Sequence, residues 1–210
     1  MSSPAVRPRP LSPCLACLVA ETVAQRKTLE TLATRTGFGG ISMDATGPAF
    51  PDPADRRLAY FFFHCMVGND LLRQTLGRIR KDDRLRFSPA VLIADECSKS
   101  DVCRYINLGF DDIVVLPEAA RVLERRLTNQ LTTPVSYFET STYFGPDRRR
   151  SQRLNTPSTV GQKAPGEHRH VRYLVQRGAA GIEILRRELV ISSNPAPAAR
   201  PVSLTIGLGL

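Results

Sequence analysis

The sequence predicts an α/β protein built on a doubly wound parallel sheet. Five short apolar runs lie between residues 14 and 116, each of a length that suits a buried strand. Segments with apolar residues at helical spacing fall between most of them. The central run is apolar throughout instead of alternating, as a strand covered on both faces is. Strands and helices alternating in this way form one parallel sheet with helices on both sides.

The first strand is "CLACLVA". In "ETVAQRKTLETLATRTGF", Val23, Leu29, Leu32 and Ala33 recur with the helical period, and Gly37 is a suitable helix stop. "GGISMDA" is a second strand. "TGPAFPDPADRR" is rich in proline and reads as a loop or a very poor helix. "LAYFFFHCMV" is the third, central strand. In "NDLLRQTLGRIRKDDRLR", Leu71, Leu72, Leu76 and Ile79 make an apolar stripe, and Asn69 or Asp70 is placed to cap the start. "PAVLIA" is a fourth strand, "SKSDVCRYINLGF" a capped helix ending near Gly109, and "DIVVL" a fifth strand. "PEAARVLERRLTNQL" opens with Pro117 in the first turn of a last helix. The elements define a domain over residues 13–130. A Pro-rich leader, residues 1–12, is expected to be flexible, and residues 131–210 form a basic extension.

The formal charge of +9 is unevenly placed: residues 131–210 hold eleven Lys/Arg against five Asp/Glu. That balance favours an anionic partner, and a solvated basic tail is the simpler reading. Five cysteines show no disulfide-framework spacing, the N-terminal residues contain no secretory apolar core, and the longest apolar run is too short to cross a bilayer. A cytoplasmic protein without a membrane span is expected. Cys14 and Cys17 form a lone C-x-x-C inside a strand, where residues three apart face opposite sides. They read as core residues and not as zinc or redox ligands.

The segment "LLRQTLGRIRKDDRLRFSPAVLIADECSKSDVCRYINLGFDDIVVLPEAARVLERRL" resembles the receiver domain of bacterial two-component response regulators, through its Pro-led fourth strand, its "LG-x-DD" helix ending and the proline after its fifth strand. The resemblance implies a flavodoxin-like sheet of strand order 2-1-3-4-5, with the ligand site at the carboxyl ends of strands 1 and 3. It also implies where the family's chemistry would sit. The family uses an acceptor Asp after strand 3, two acids after strand 1 for Mg²⁺, a hydroxyl after strand 4 and a lysine after strand 5. Phosphoryl transfer needs those charges together. Here His64 stands at the acceptor position, Ala20 and Glu21 at the acidic pair, Ala94 at the hydroxyl and Leu116 at the lysine, ahead of the retained Pro117. Ile113 stands where many receivers carry a switching aromatic. One carboxylate is a poor Mg²⁺ site. The expectation is a pseudo-receiver in which His64 packs into an emptied pocket, with no catalytic residue, no metal and no cofactor.

Receivers commonly dock through the face made by their fourth helix, fifth strand and fifth helix. Here Lys99, Arg104, Tyr105, Arg121, Arg125 and Arg126 would supply it, toward an acidic signalling protein or a second copy in a homodimer. In the extension, residues 131–168 read as an extended arm docking by its aromatics. A hairpin is expected around residues 169–192, with a short helix across "IEILRREL" as the alternative, and the end is expected to be disordered. Arg148, Arg149, Arg150 and Arg153 form a dense arginine segment. Guanidinium groups bind phosphates and the guanine O6/N7 edge, so cyclic di-GMP is the alternative ligand. Arg149 and Arg153 fit the first half of the PilZ pattern, but Asn155, Ser158 and Gly161 do not complete it. No helix-turn-helix pattern follows residue 131, so nucleic acid is an unlikely partner. No catalytic constellation survives, so the chain does not read as an enzyme. The leading function is a phosphorylation-independent signalling adaptor, and a cyclic di-GMP sensor is the alternative.

Overall fold

The computed structural model describes residues 9–44, 48–148 and 166–194. Strands β1 (Leu15–Val19), β2 (Gly40–Ser42), β3 (Ala59–His64), β4 (Ala90–Ala94) and β5 (Asp112–Val115) are parallel and lie in the order β2-β1-β3-β4-β5. This is the flavodoxin-like sheet that the sequence predicts. Every residue of β1, β3 and β4 is buried, as continuous apolar runs require.

Four helices cover the two faces. α1 (Val23–Thr36) and α4 (Ala120–Thr132) pack Leu29, Leu32, Leu123 and Leu127 against Leu18, Tyr60, Phe62 and Ile93. α2 (Asn69–Lys81) and α3 (Lys99–Leu108) bring Leu72, Leu76, Ile79 and Tyr105 to the other face, against Val19, Phe61, Phe63 and Leu92. The period-two alternation of each strand thus divides one run between two cores. Cys14 and Cys17 fall in different cores, and burial pushes their thiols up to about 11 and about 12.

Helix ends are set locally. The Thr22 hydroxyl accepts from the Gln25 amide while the Gln25 side chain accepts from the Thr22 amide, and Gly37 stops α1 at φ 88°. Ser98 and Asp101 make the same box at α3. Two ends differ from expectation. Gly68 is the N-cap of α2, which places Asn69 and Asp70 in its first turn. Ala119 caps α4, so Pro117 precedes the helix, and the Leu116–Pro117 peptide is cis. The leader also joins the domain earlier than expected, because Leu11 is fully buried against the α1 side of the sheet.

The extension requires the larger correction. Residues 135–139 and 144–146 are strands of a sheet and not an extended arm. β6 (Val135–Glu139), β7 (Phe144–Pro146), β8 (Gly166–Gly178) and β9 (Gly181–Asn194) form a second, antiparallel sheet of order β7-β6-β8-β9. The hairpin lies where expected and runs longer, and "IEILRREL" is strand, not helix. β6 pairs with Val171–Val175 of β8, so its short run becomes a strand only beside residues far along the chain. Tyr137, Tyr173 and Val175 close a small third core around Phe87, which belongs to the first domain. The Phe87 ring meets those of Tyr137 and Tyr173 at centroid distances of 5.2 Å, both near edge-on. Residues 1–8, 45–47, 149–165 and 195–210 lie outside the described residues, as does the expected disorder of the chain end.

Candidate functional site

Parallel registry brings the expected pocket positions together. Val19 pairs Phe63, His64 pairs Ile93 and Ala94 pairs Val115, so Ala20, His64, Ala94 and Leu116 meet at the carboxyl edge of the sheet. Ala20 and Ala94 are buried and contribute no polar group. Glu21 is exposed, and its Oε2 accepts from the Gly68 amide at 3.0 Å, tying the loop after β1 to the start of α2. His64 is 7 % exposed, and its Nδ1 accepts from the Met66 amide at 3.2 Å. Burial lowers the His64 pKa below 6.5, against a weaker opposing pull from Asp95. A neutral ring that accepts at Nδ1 carries its proton on Nε2. Asp95, which follows β4, is a second acid at this edge that the sequence reading did not single out. Among the described residues, no group of three or more His, Cys, Asp or Glu side chains is placed to hold a metal ion.

The opposite, amino-terminal end of the sheet carries a cluster that sequence reasoning missed. Asp111, just ahead of β5, has a side chain that is 3 % exposed. Its Oδ1 accepts from Arg177 Nη2 at 2.6 Å and from the Tyr137 hydroxyl. Its Oδ2 accepts from Arg80 Nη2 at 2.7 Å and from the Ala90 amide at 2.9 Å. Arg177, on β8, is fully enclosed. Its Nε donates to the Phe87 carbonyl at 2.8 Å, its Nη1 to Gln130 Oε1 at 3.4 Å, and its Nη2 also to the Tyr137 hydroxyl oxygen. Arg80, on α2, also donates from Nη1 to the carbonyls of Arg86 and Ser88 and from Nη2 to that of Gly109, while its buried Nε finds no partner among the described residues.

Electrostatics fixes the charge state of this cluster. Burial alone would raise the Asp111 pKa, but Arg177 and then Arg80, with hydrogen bonds from Tyr137 and Ala90, hold it below the usual carboxylate range. Burial disfavours the Arg177 cation, and the Asp111 carboxylate, by charge and hydrogen bond, offsets that cost. Burial keeps the Tyr137 phenol protonated. Two cations and one anion, all buried, form a hydrogen-bonded clasp between the sheets. A signal for it did exist. Val171, Tyr173 and Val175 face inward, and the same alternation puts Arg177 on that face.

The docking face is only partly available. Lys99, Arg121 and Arg125 are exposed. Tyr105 is buried, contrary to its expected place on the surface, because its ring fills the second core. Arg104 lies 4.6 Å over that ring and donates to its hydroxyl at 2.8 Å. Arg126 is committed to Asp112 and to the Ile113 carbonyl. In the arginine segment, Arg148 donates to the carbonyls of Phe110 at 3.0 Å and Asp111 at 2.6 Å, which anchors β7 to the foot of β5. Arg149, Arg150 and Arg153 lie outside the described residues. Among the described residues, no helix is long and apolar enough to cross a membrane.

No protein-family model matches this chain, and no curated protein matches it. Among solved structures it is similar to the signal receiver domain of a signal transduction histidine kinase from Syntrophus aciditrophicus, at 17% identity over 55% of this chain and 90% of that one, with a TM-score of 0.39. It is also similar to a response regulator in red light signaling of R. palustris, at 10% identity over 55% of this chain and 90% of that one, with a TM-score of 0.37.

Proposed function

We propose that the chain is a phosphorylation-independent pseudo-receiver: a bacterial signalling adaptor that acts through protein–protein contacts and carries no catalytic site. One observation carries this reading. The carboxyl edge of the sheet gathers Ala20, His64, Ala94 and Leu116, leaving Glu21, already bonded to the Gly68 amide, and Asp95 as its acids. Mg²⁺ asks for near-octahedral oxygen ligation, and a transferring phosphoryl group asks for a cation beside it. Leu116 supplies no such cation, and a neutral His64 accepting at Nδ1 is held by its own loop. The exposed cations Lys99, Arg121 and Arg125 suit an acidic partner surface.

The test is incubation of the full chain with acetyl phosphate and Mg²⁺, followed by intact-mass measurement. The mass should stay unchanged. A phosphoryl adduct mapped to His64, Glu21 or Asp95 would overturn the reading.

A further inference from the structure

We propose that the outer edge of β9 is a homotypic interface, and that two copies of the chain join their antiparallel sheets through it. β9 is the last strand of its sheet, so one side of its backbone pairs β8 and the other pairs nothing among the described residues. It runs from Gly181 to Asn194, long for an edge strand. Natural edges are blunted by shortness, proline, charge or bulges; this one has no proline or lysine, and its charges are of both signs. Its one irregularity is a bulge at Leu185, opposite Leu174 and Val175. Ile184, Leu185, Leu189 and Ile191 are 50%, 47%, 64% and 53% exposed.

The hairpin also outruns its support. β6 pairs β8 only over Val171–Val175, while β8 and β9 continue together to Gly166 and Asn194. That far portion is a two-stranded ribbon, and such a ribbon is marginal in water without a third strand.

The charges on β9 select a second copy as the third strand. A two-fold axis normal to the sheet pairs two β9 strands antiparallel and keeps each residue on its own face. An axis through Arg187 sets Arg186 opposite Glu188 of the second copy, twice, and Leu185 opposite Leu189, twice. Arg186 is exposed and Glu188 half-buried, and they already pair within one strand at 2.5 Å, so the four charges merge into one cross-strand group. The like pair, Arg187 with itself, falls on the other face. There the guanidinium lies 5.9 Å from the Tyr173 ring on β8, drawn away from the axis. Opposed charges and apolar pairs across strands stabilise this register.

The test is sedimentation of the full chain at micromolar concentration. The unmodified chain should be a dimer. Arg186→Glu makes the opposed 186/188 positions wholly acidic and Glu188→Arg makes them wholly basic, and each should weaken self-association by about tenfold or more. An equimolar mixture of the two should restore a dimer containing one copy of each, because both 186/188 pairs are then complementary. Circular dichroism and thermal melting establish that both variants stay folded; if either unfolds, Leu189→Lys, which puts a charge at an exposed apolar position of the edge, takes its place as the monomer-forming variant. A monomeric unmodified chain, a dimer indifferent to these substitutions, or a mixture that does not re-associate overturns the proposal. A dimer that persists through them points to the α3–β5–α4 face instead.

Discussion

Arg177 of β8 donates to Asp111, just ahead of β5, across 2.6 Å and 66 positions of sequence. Both side chains are out of water, and each has its remaining valences filled by groups from different elements. The pair therefore reports on the docking of the two sheets.

Replacing Arg177 with Met should destabilise the chain by about 3–5 kcal/mol, because a buried carboxylate loses a partner while its desolvation persists. Asp111→Asn should cost a comparable amount by stranding two buried guanidinium groups. The double variant should cost less than the two single effects added together. Urea unfolding of the four proteins measures this coupling.

Asp111 also sets the response to acid. Its folded pKa lies below the ordinary value of 3.8, so the unfolded chain takes up this proton first as pH falls. Its contribution is complete above 3.8 and is lost as pH drops through the depressed folded value. Asp111→Asn should flatten the pH dependence of stability in that window, as read from urea midpoints at successive pH values.

His64 acts in a higher window. Its folded pKa lies below 6.5, so its stabilising contribution is present above 6.5 and declines as pH falls through the lowered value. Nuclear magnetic resonance should find the ring neutral at pH 7 with its proton on Nε2. His64→Gln should remove that part of the pH dependence.

The thiols should separate by accessibility. Cys103 is exposed, whereas Cys14 and Cys17 are buried with pKa values near 11 and 12. A thiol reagent at pH 7.5 should modify Cys103 first and reach Cys14 and Cys17 only on the timescale of unfolding. Peptide mapping over time distinguishes the sites.

The parallel sheet was legible because its signals are local. "LAYFFFHCMV" can only be a doubly covered strand, and Gly37 and Ser98 end and begin helices through their own backbone geometry. The pocket positions were legible for the same reason, since registry carries Ala20, His64, Ala94 and Leu116 to one edge once the strands are placed. The second sheet was not. β6 has five residues, and its identity depends on β8. Arg177 looks like a surface charge until Asp111, Phe87 and Tyr137 surround it. Tyr105 failed in the opposite sense: helical spacing allowed an exposed face, and packing on Phe110 turned its ring inward.

The position of the clasp has a consequence for anyone recombining the gene. A module that can be moved between proteins ends at a linker, whereas this one ends at a carboxylate with owners on both sides. A chimera carrying residues 13–130 alone would take Asp111 and Phe87 without Arg177 and Tyr137, and would bare an aromatic ring and a half-neutralised ion at its base. Transplantation should succeed only when the hairpin travels with its host.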